Sequence, residues 1–143
     1  VLTEDTADLV LTMILMISRK VIDAQTKLIN EKWMGWGPSE TMGQRIKGKN
    51  IGIIGMGRIG QAVAKRLNIL GVNIFYHNRK RLPKSDEKRY DARYFEDLDS
   101  MISKSDIISI HCPFTPDTFH LLSKKRLKLL KIWKVVSTSR TSC

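Results

Sequence analysis

A chain of 143 residues can form one domain with its own core and is too short for two ordinary ones. Its 42% hydrophobic content excludes a disordered chain, while a net charge of +11 invites nucleic acid or an anionic surface as a partner. The basic residues are spread over 19–20, 45–49, 79–84 and 124–134, with no RNP, zinc-finger or basic-zipper pattern, so nucleic acid is not expected. Cys112 and Cys143 form neither a CxxC pair nor a disulfide framework, which favours a reduced, cytoplasmic setting. The longest apolar run, Leu9 to Ile17, is too short to span a bilayer, and no membrane partner is expected. The chain opens at Val1 with no basic n-region or cleavage site, so it reads as an internal piece of something longer.

Residues 4–30 read as one long helix, capped by Thr3 or Thr6, with Glu4, Asp5 and Asp8 at its positive end. Its apolar residues go nearly all round, so it needs cover on more than one side. "EKWMGWGPSETMG", 31–43, follows as an irregular arm carrying Trp33 and Trp36, two aromatics suited to anchoring an interface. From Asn50 the period changes. "NIGIIG" reads as a buried strand, Arg58–Leu70 as a helix stopped by Gly71, and "VNIFYH" as a second strand. A short strand at Ala92–Tyr94, a helix across "EDLDSMISKS", the strand "DIISIHCP", a helix in "SKKRLKLLK" and the strand "KVVSTS" complete the series. Strands alternating with helices predict a doubly wound α/β domain with a parallel sheet in the order 3-2-1-4-5, cut short before an outer strand.

"GMGRIG" supplies Gly55, Gly57 and Gly60 in the G-x-G-x-x-G spacing between a predicted strand and a predicted helix. In that context the first glycine makes the tight turn, the second lets the backbone approach a diphosphate, and the third lets helix and strand pack closely. The helix N-terminus offers its N–H groups to the same anion. A dinucleotide site of this kind usually carries an acid at the tip of the second strand, for the ribose 2′-hydroxyl. Here the tip holds Asn78, with Arg79 next and Arg81 close by, and Asp86 and Glu87 come too late. Arginines at that place suit a 2′-phosphate, so NADP(H) is the expected cofactor with NAD(H) possible. A solvated basic loop is the alternative for the same residues.

With these residues placed, "LTEDTADLVLTMILMISRKV", "WMGWGP", "GKNIGIIGMGRIGQAVAKRL", "SDIISIHCPFTPDTFHLL" and "VVSTSR" together resemble the D-isomer-specific 2-hydroxyacid dehydrogenases, most of all the glyoxylate/hydroxypyruvate reductases. The resemblance covers nearly the whole chain. It implies the NAD(P)-binding domain of an oxidoreductase that reduces small 2-oxo acids by hydride transfer, a domain set within a split substrate domain. It implies backbone contacts from Arg58 and Ile59 to the pyrophosphate, Cys112 and Pro113 along the ribose and nicotinamide side, and Thr115 helping to shape that turn. Thr138 would lie near the nicotinamide, and Arg140 would grip the substrate carboxylate. It also implies a homodimer formed through 4–43. The family's acid/base histidine and its glutamate lie further along, and none of His77, His111 or His120 stands in that position; the 143 residues alone are therefore expected to bind cofactor without turnover. Ser137 and Thr141 replace an asparagine and a glycine of the family pattern, and the lost glycine bears on the aim of Arg140. A dinucleotide-sensing corepressor, a kind of protein also found in this family, is the non-catalytic alternative.

Overall fold

The computed structural model describes residues 2–35 and 42–130 together with the backbone of 135–137. Among the described residues there are five strands, β1 (Asn50–Ile54), β2 (Asn73–His77), β3 (Ala92–Tyr94), β4 (Ile107–Ile110) and β5 (Val135–Ser137). They form one parallel sheet in the order β3-β2-β1-β4-β5, as the sequence predicts. Strands buried on both faces need apolar residues at every position. "IGII" meets that demand, and every residue of β4 is buried, its one polar side chain, Ser109, pairing through Oγ with His111 Nε2 at 2.7 Å.

The helices are α1 (Thr3–Ser18), α2 (Val21–Ile29), α3 (Arg58–Ile69), α4 (Lys84–Arg89), α5 (Leu98–Lys104) and α6 (Lys124–Leu127). On one sheet face, α1 sets Ala7, Val10 and Ile14 against Val63 and Leu67 of α3, over Ile51, Ile53, Ile74 and Tyr76. Each large aliphatic side chain buried there is worth about 1.5–3 kcal/mol. Arg66 of α3 ties the same two helices by donating to Glu4 Oε2 at 2.8 Å and Asp8 Oδ1 at 2.6 Å. The carboxylates are exposed, so each pair adds about 0.2–1 kcal/mol. On the other face Leu98, Met101 and Ile102 of α5, with Leu122 and Leu130, cover Ile108 and Ile110.

The single helix expected over 4–30 is instead two. Lys20 adopts a left-handed backbone (φ 52°) between α1 and α2. The Ser18 carbonyl, which a continuous helix would offer to residue 22, accepts the Gln44 N–H at 2.7 Å. The break falls where the chain leaves its support on α3: Ser18 is buried, and no residue of α2 is. Neither Thr3 nor Thr6 caps α1, since Leu2 holds the N-cap without a side-chain bond. Helix α4, absent from the sequence reading, starts after Pro83, and α6 is shorter than "SKKRLKLLK" suggests. Trp33 is half-buried; Trp36 falls outside the described residues. No described helix is long and apolar enough to cross a membrane.

Candidate functional site

The carboxyl ends of β1, β2 and β4 open onto a cleft of about 860 Å³. Open α/β sheets form such a crevice where the strand order reverses, here between β1 and β4. The floor is the glycine turn. Gly55 takes a positive φ of 91°, and a Cβ built on it would come within 2.7 Å of the Cys112 nitrogen. A Cβ on Gly60 would lie 2.4 Å from the Gly55 carbonyl oxygen, so that glycine is what lets α3 close on β1. Gly57 differs: a Cβ there would meet no atom within 4 Å, and its backbone borders the cleft. The three glycines therefore serve a turn, an open approach and a close packing.

Gly57 is also the N-cap of α3, with no side-chain cap and no acid in the first turn. Arg58, Ile59 and Gly60 follow as the first helical residues, whose N–H groups have no intrahelical acceptor. The positive end of α3 thus faces the cleft uncompensated, which suits a diphosphate. The loop is pinned before any ligand arrives. Asn78 Oδ1 accepts the Met56 N–H at 2.7 Å, and Gln61 Nε2 donates to the Met56 carbonyl at 3.2 Å. The Gly55 N–H donates to His77 and the His111 N–H to Ile54, at 3.1 and 2.8 Å.

At the tip of β2 the cleft is lined by Asn78, Arg79 and Lys80. Arg81, expected to join them, is not part of the lining. Its Nε and Nη2 donate to the two carboxylate oxygens of Glu87 at 2.8 and 2.9 Å. Lys80, part of the basic run but not singled out from the sequence, takes its place. The opposite wall is His111, Cys112, Pro113 and Thr115. Thr118 folds that turn by accepting the Thr115 N–H and donating to the Pro113 carbonyl, both at 2.7 Å. Burial pushes the Cys112 thiol up and the His111 ring down to about 4. His111 Nε2 lies 2.7 Å from Ser109 Oγ, and the ring stays neutral at physiological pH. His111 is thus a polar neutral wall of the cleft, with no proton to give as imidazolium. His77 lies at the cleft edge with Nδ1 3.0 Å from the Phe95 carbonyl oxygen, and His120 is exposed. Thr138, Arg140 and Thr141 fall outside the described residues, and no side chain is described for Ser137. Among the described residues no cluster could hold a metal ion.

A pinned glycine turn, an open helix N-terminus and a crevice at the strand-order reversal define a dinucleotide-binding α/β domain. Residues 11–142 match the family model for the D-isomer specific 2-hydroxyacid dehydrogenase, NAD binding domain, and the chain belongs to that family. Its cofactor is accordingly a nicotinamide dinucleotide. The chain is 39% identical over 145 residues to the glyoxylate reductase of Thermococcus litoralis, covering 98% of this chain and 43% of that protein. It is 40% identical over 135 residues to the glyoxylate reductase of Aeropyrum pernix, covering 92% and 40%. Among solved structures, a glyoxylate reductase from Paecilomyes thermophila superposes with a TM-score of 0.84 at 32% identity, over 96% of this chain and 40% of that one. D-lactate dehydrogenase from Escherichia coli gives 0.82 at 28%, over 96% and 42%. The chain spans about two-fifths of the length of the curated relatives it matches.

Proposed function

We propose that this chain is the NADP(H)-binding part of an oxidoreductase acting on the CH–OH group of 2-hydroxy acids, which reduces 2-oxo acids of the glyoxylate and hydroxypyruvate type. The bound nicotinamide would supply the hydride. The chain's own residues bind and orient the dinucleotide: the N–H groups of the α3 start take the diphosphate, Gly57 gives it room, and the Cys112–Pro113 wall borders the ribose and nicotinamide side. Arg140, by the family pattern, takes the substrate carboxylate, and Thr138 the nicotinamide edge. Glyoxylate reductases among the relatives support the substrate class.

The observation that carries the cofactor choice is at the tip of β2. The acid that would take a ribose hydroxyl is replaced by Asn78, whose Oδ1 already serves Met56, and two cations line the cleft beside it. A charge-assisted contact to a 2′-phosphate is worth about 1.5–3 kcal/mol, so NADPH should bind roughly tenfold or more tightly than NADH. Arg79→Ala is expected to remove most of that difference while leaving NADH binding nearly unchanged, as read by fluorescence titration of both cofactors. An equal loss for both would assign Arg79 a structural role.

The chain is also expected to pair with a second copy through α1, α2 and the arm that follows. Val21, Ile22, Leu28 and Ile29 leave α2 apolar and uncovered, and Leu9 of α1 is exposed as well. A two-fold pairing would cover the patch on both copies at once. Sedimentation at micromolar concentration should show a dimer, and Ile22→Asp with Ile29→Asp should give a folded monomer. A monomeric unmodified chain would refute the pairing.

A further inference from the structure

We propose that Glu87 limits how strongly the chain discriminates NADPH from NADH, by holding Arg81 away from the cleft and leaving the 2′-phosphate to Arg79 and Lys80. The proposal deepens the NADP(H) reading and rests on it. The segment after β2 carries three consecutive cations, but they do not share a surface. Arg79 and Lys80 line the cleft. Arg81 is turned to Glu87 of α4 in a two-point contact, Nε to Oε1 and Nη2 to Oε2, and its guanidinium carbon lies 5.4 Å from the centre of the Tyr94 ring. A fork engaged on both oxygens of one carboxylate has spent the geometry by which arginine recognises phosphate.

The acceptor is itself held in place. The Tyr76 hydroxyl donates to Glu87 Oε1 at 2.6 Å and accepts the Leu82 N–H at 3.0 Å, and Tyr76 belongs to the buried core. Arg81 first, and then the Tyr76 hydroxyl, hold the Glu87 carboxyl down at about 2, so it is charged at any physiological pH. At the other end of the segment the Tyr94 hydroxyl donates to the Asn78 carbonyl at 3.3 Å. Residues 78–82 are therefore fixed at both ends, with their cations sorted: two towards the cleft, one neutralised outside it. Arg81 is still more than half exposed, at 55%, so no burial prevents its release once the carboxylate is gone.

The test is a double-mutant cycle read by titrating NADPH and NADH into the unmodified chain, Arg81→Gln, Glu87→Gln and the double variant, with thermal melts as the control for folding. Arg81→Gln is expected to leave the NADPH/NADH affinity ratio within about twofold. Glu87→Gln should raise it about fivefold or more, since it frees one charge-assisted donor. On the Arg81→Gln background the same change should move the ratio by less than about twofold, which separates release of Arg81 from a general gain of positive charge. A fall in the ratio on Arg81→Gln as large as that on Arg79→Ala would overturn the proposal. So would an unchanged ratio in a folded Glu87→Gln. If Glu87→Gln does not fold, Arg81→Gln alone decides: an unchanged ratio supports the proposal and a lowered one overturns it. Equal affinities in the unmodified chain would sink the NADP(H) reading instead, because the Glu87 proposal is read from changes between variants.

Discussion

Gly57→Ala is expected to keep the fold and weaken dinucleotide binding by about ten- to a hundredfold, the range that a methyl group forced into a filled contact produces. Gly57 has φ −81° and ψ −159°, values that alanine adopts without strain. A Cβ at this position meets nothing in the free protein, so the stability change should stay within about 1 kcal/mol. The cost appears only when a diphosphate occupies the space beside the backbone. Thermal melts with cofactor titrations separate the two effects. A variant that melts normally and binds normally would show that the diphosphate lies elsewhere.

Gly60→Ala is expected to act through the fold. Its Cβ would fall 2.4 Å from the Gly55 carbonyl oxygen and 3.3 Å from Ile53 Cγ2, and the nearer of these is backbone in the turn itself. Relief requires moving α3 off β1, and overpacking of this kind costs about 1–3 kcal/mol or more. Melting and binding should both fall, with the loss of binding following the loss of structure. An unchanged melting temperature would mean that helix and strand are less closely packed than the geometry gives. Gly60 clears space for the protein, and Gly57, three residues earlier, is expected to clear it for the ligand.

These two glycines were legible in the sequence because their spacing is bound to local geometry, a strand turning at once into a helix. The strands were legible for a similar reason. "IGII" is a short apolar run and "IISI" one broken only by Ser109, and such runs between turns are what a buried parallel strand needs. What escaped depends on contacts that the local pattern does not encode. The break at Lys20 carries no glycine or proline; it arises because Ser18 gives its carbonyl to Gln44 and the support from α3 ends there. The contact of Glu87 with Arg81 escaped because Glu87 lies too far along the chain to serve as the ribose acid at the tip of β2. Helix α4 folds it back onto Tyr76 and Arg81, and Pro83 ahead of Asp86 and Glu87 was the one local sign of that helix. Arg79 and Arg81 look equivalent as letters. Only the carboxylate six residues further on separates them.

The claim that a nicotinamide dinucleotide carrying a 2′-phosphate occupies the cleft is tested most directly by calorimetric titration of the unmodified chain with NADPH and, under identical conditions, with NADH. Saturable binding at one site per chain is expected, with NADPH tighter by roughly tenfold or more and its advantage shrinking as salt is raised. Equal affinities for the two cofactors, or no saturable binding of either by a folded chain, would contradict it.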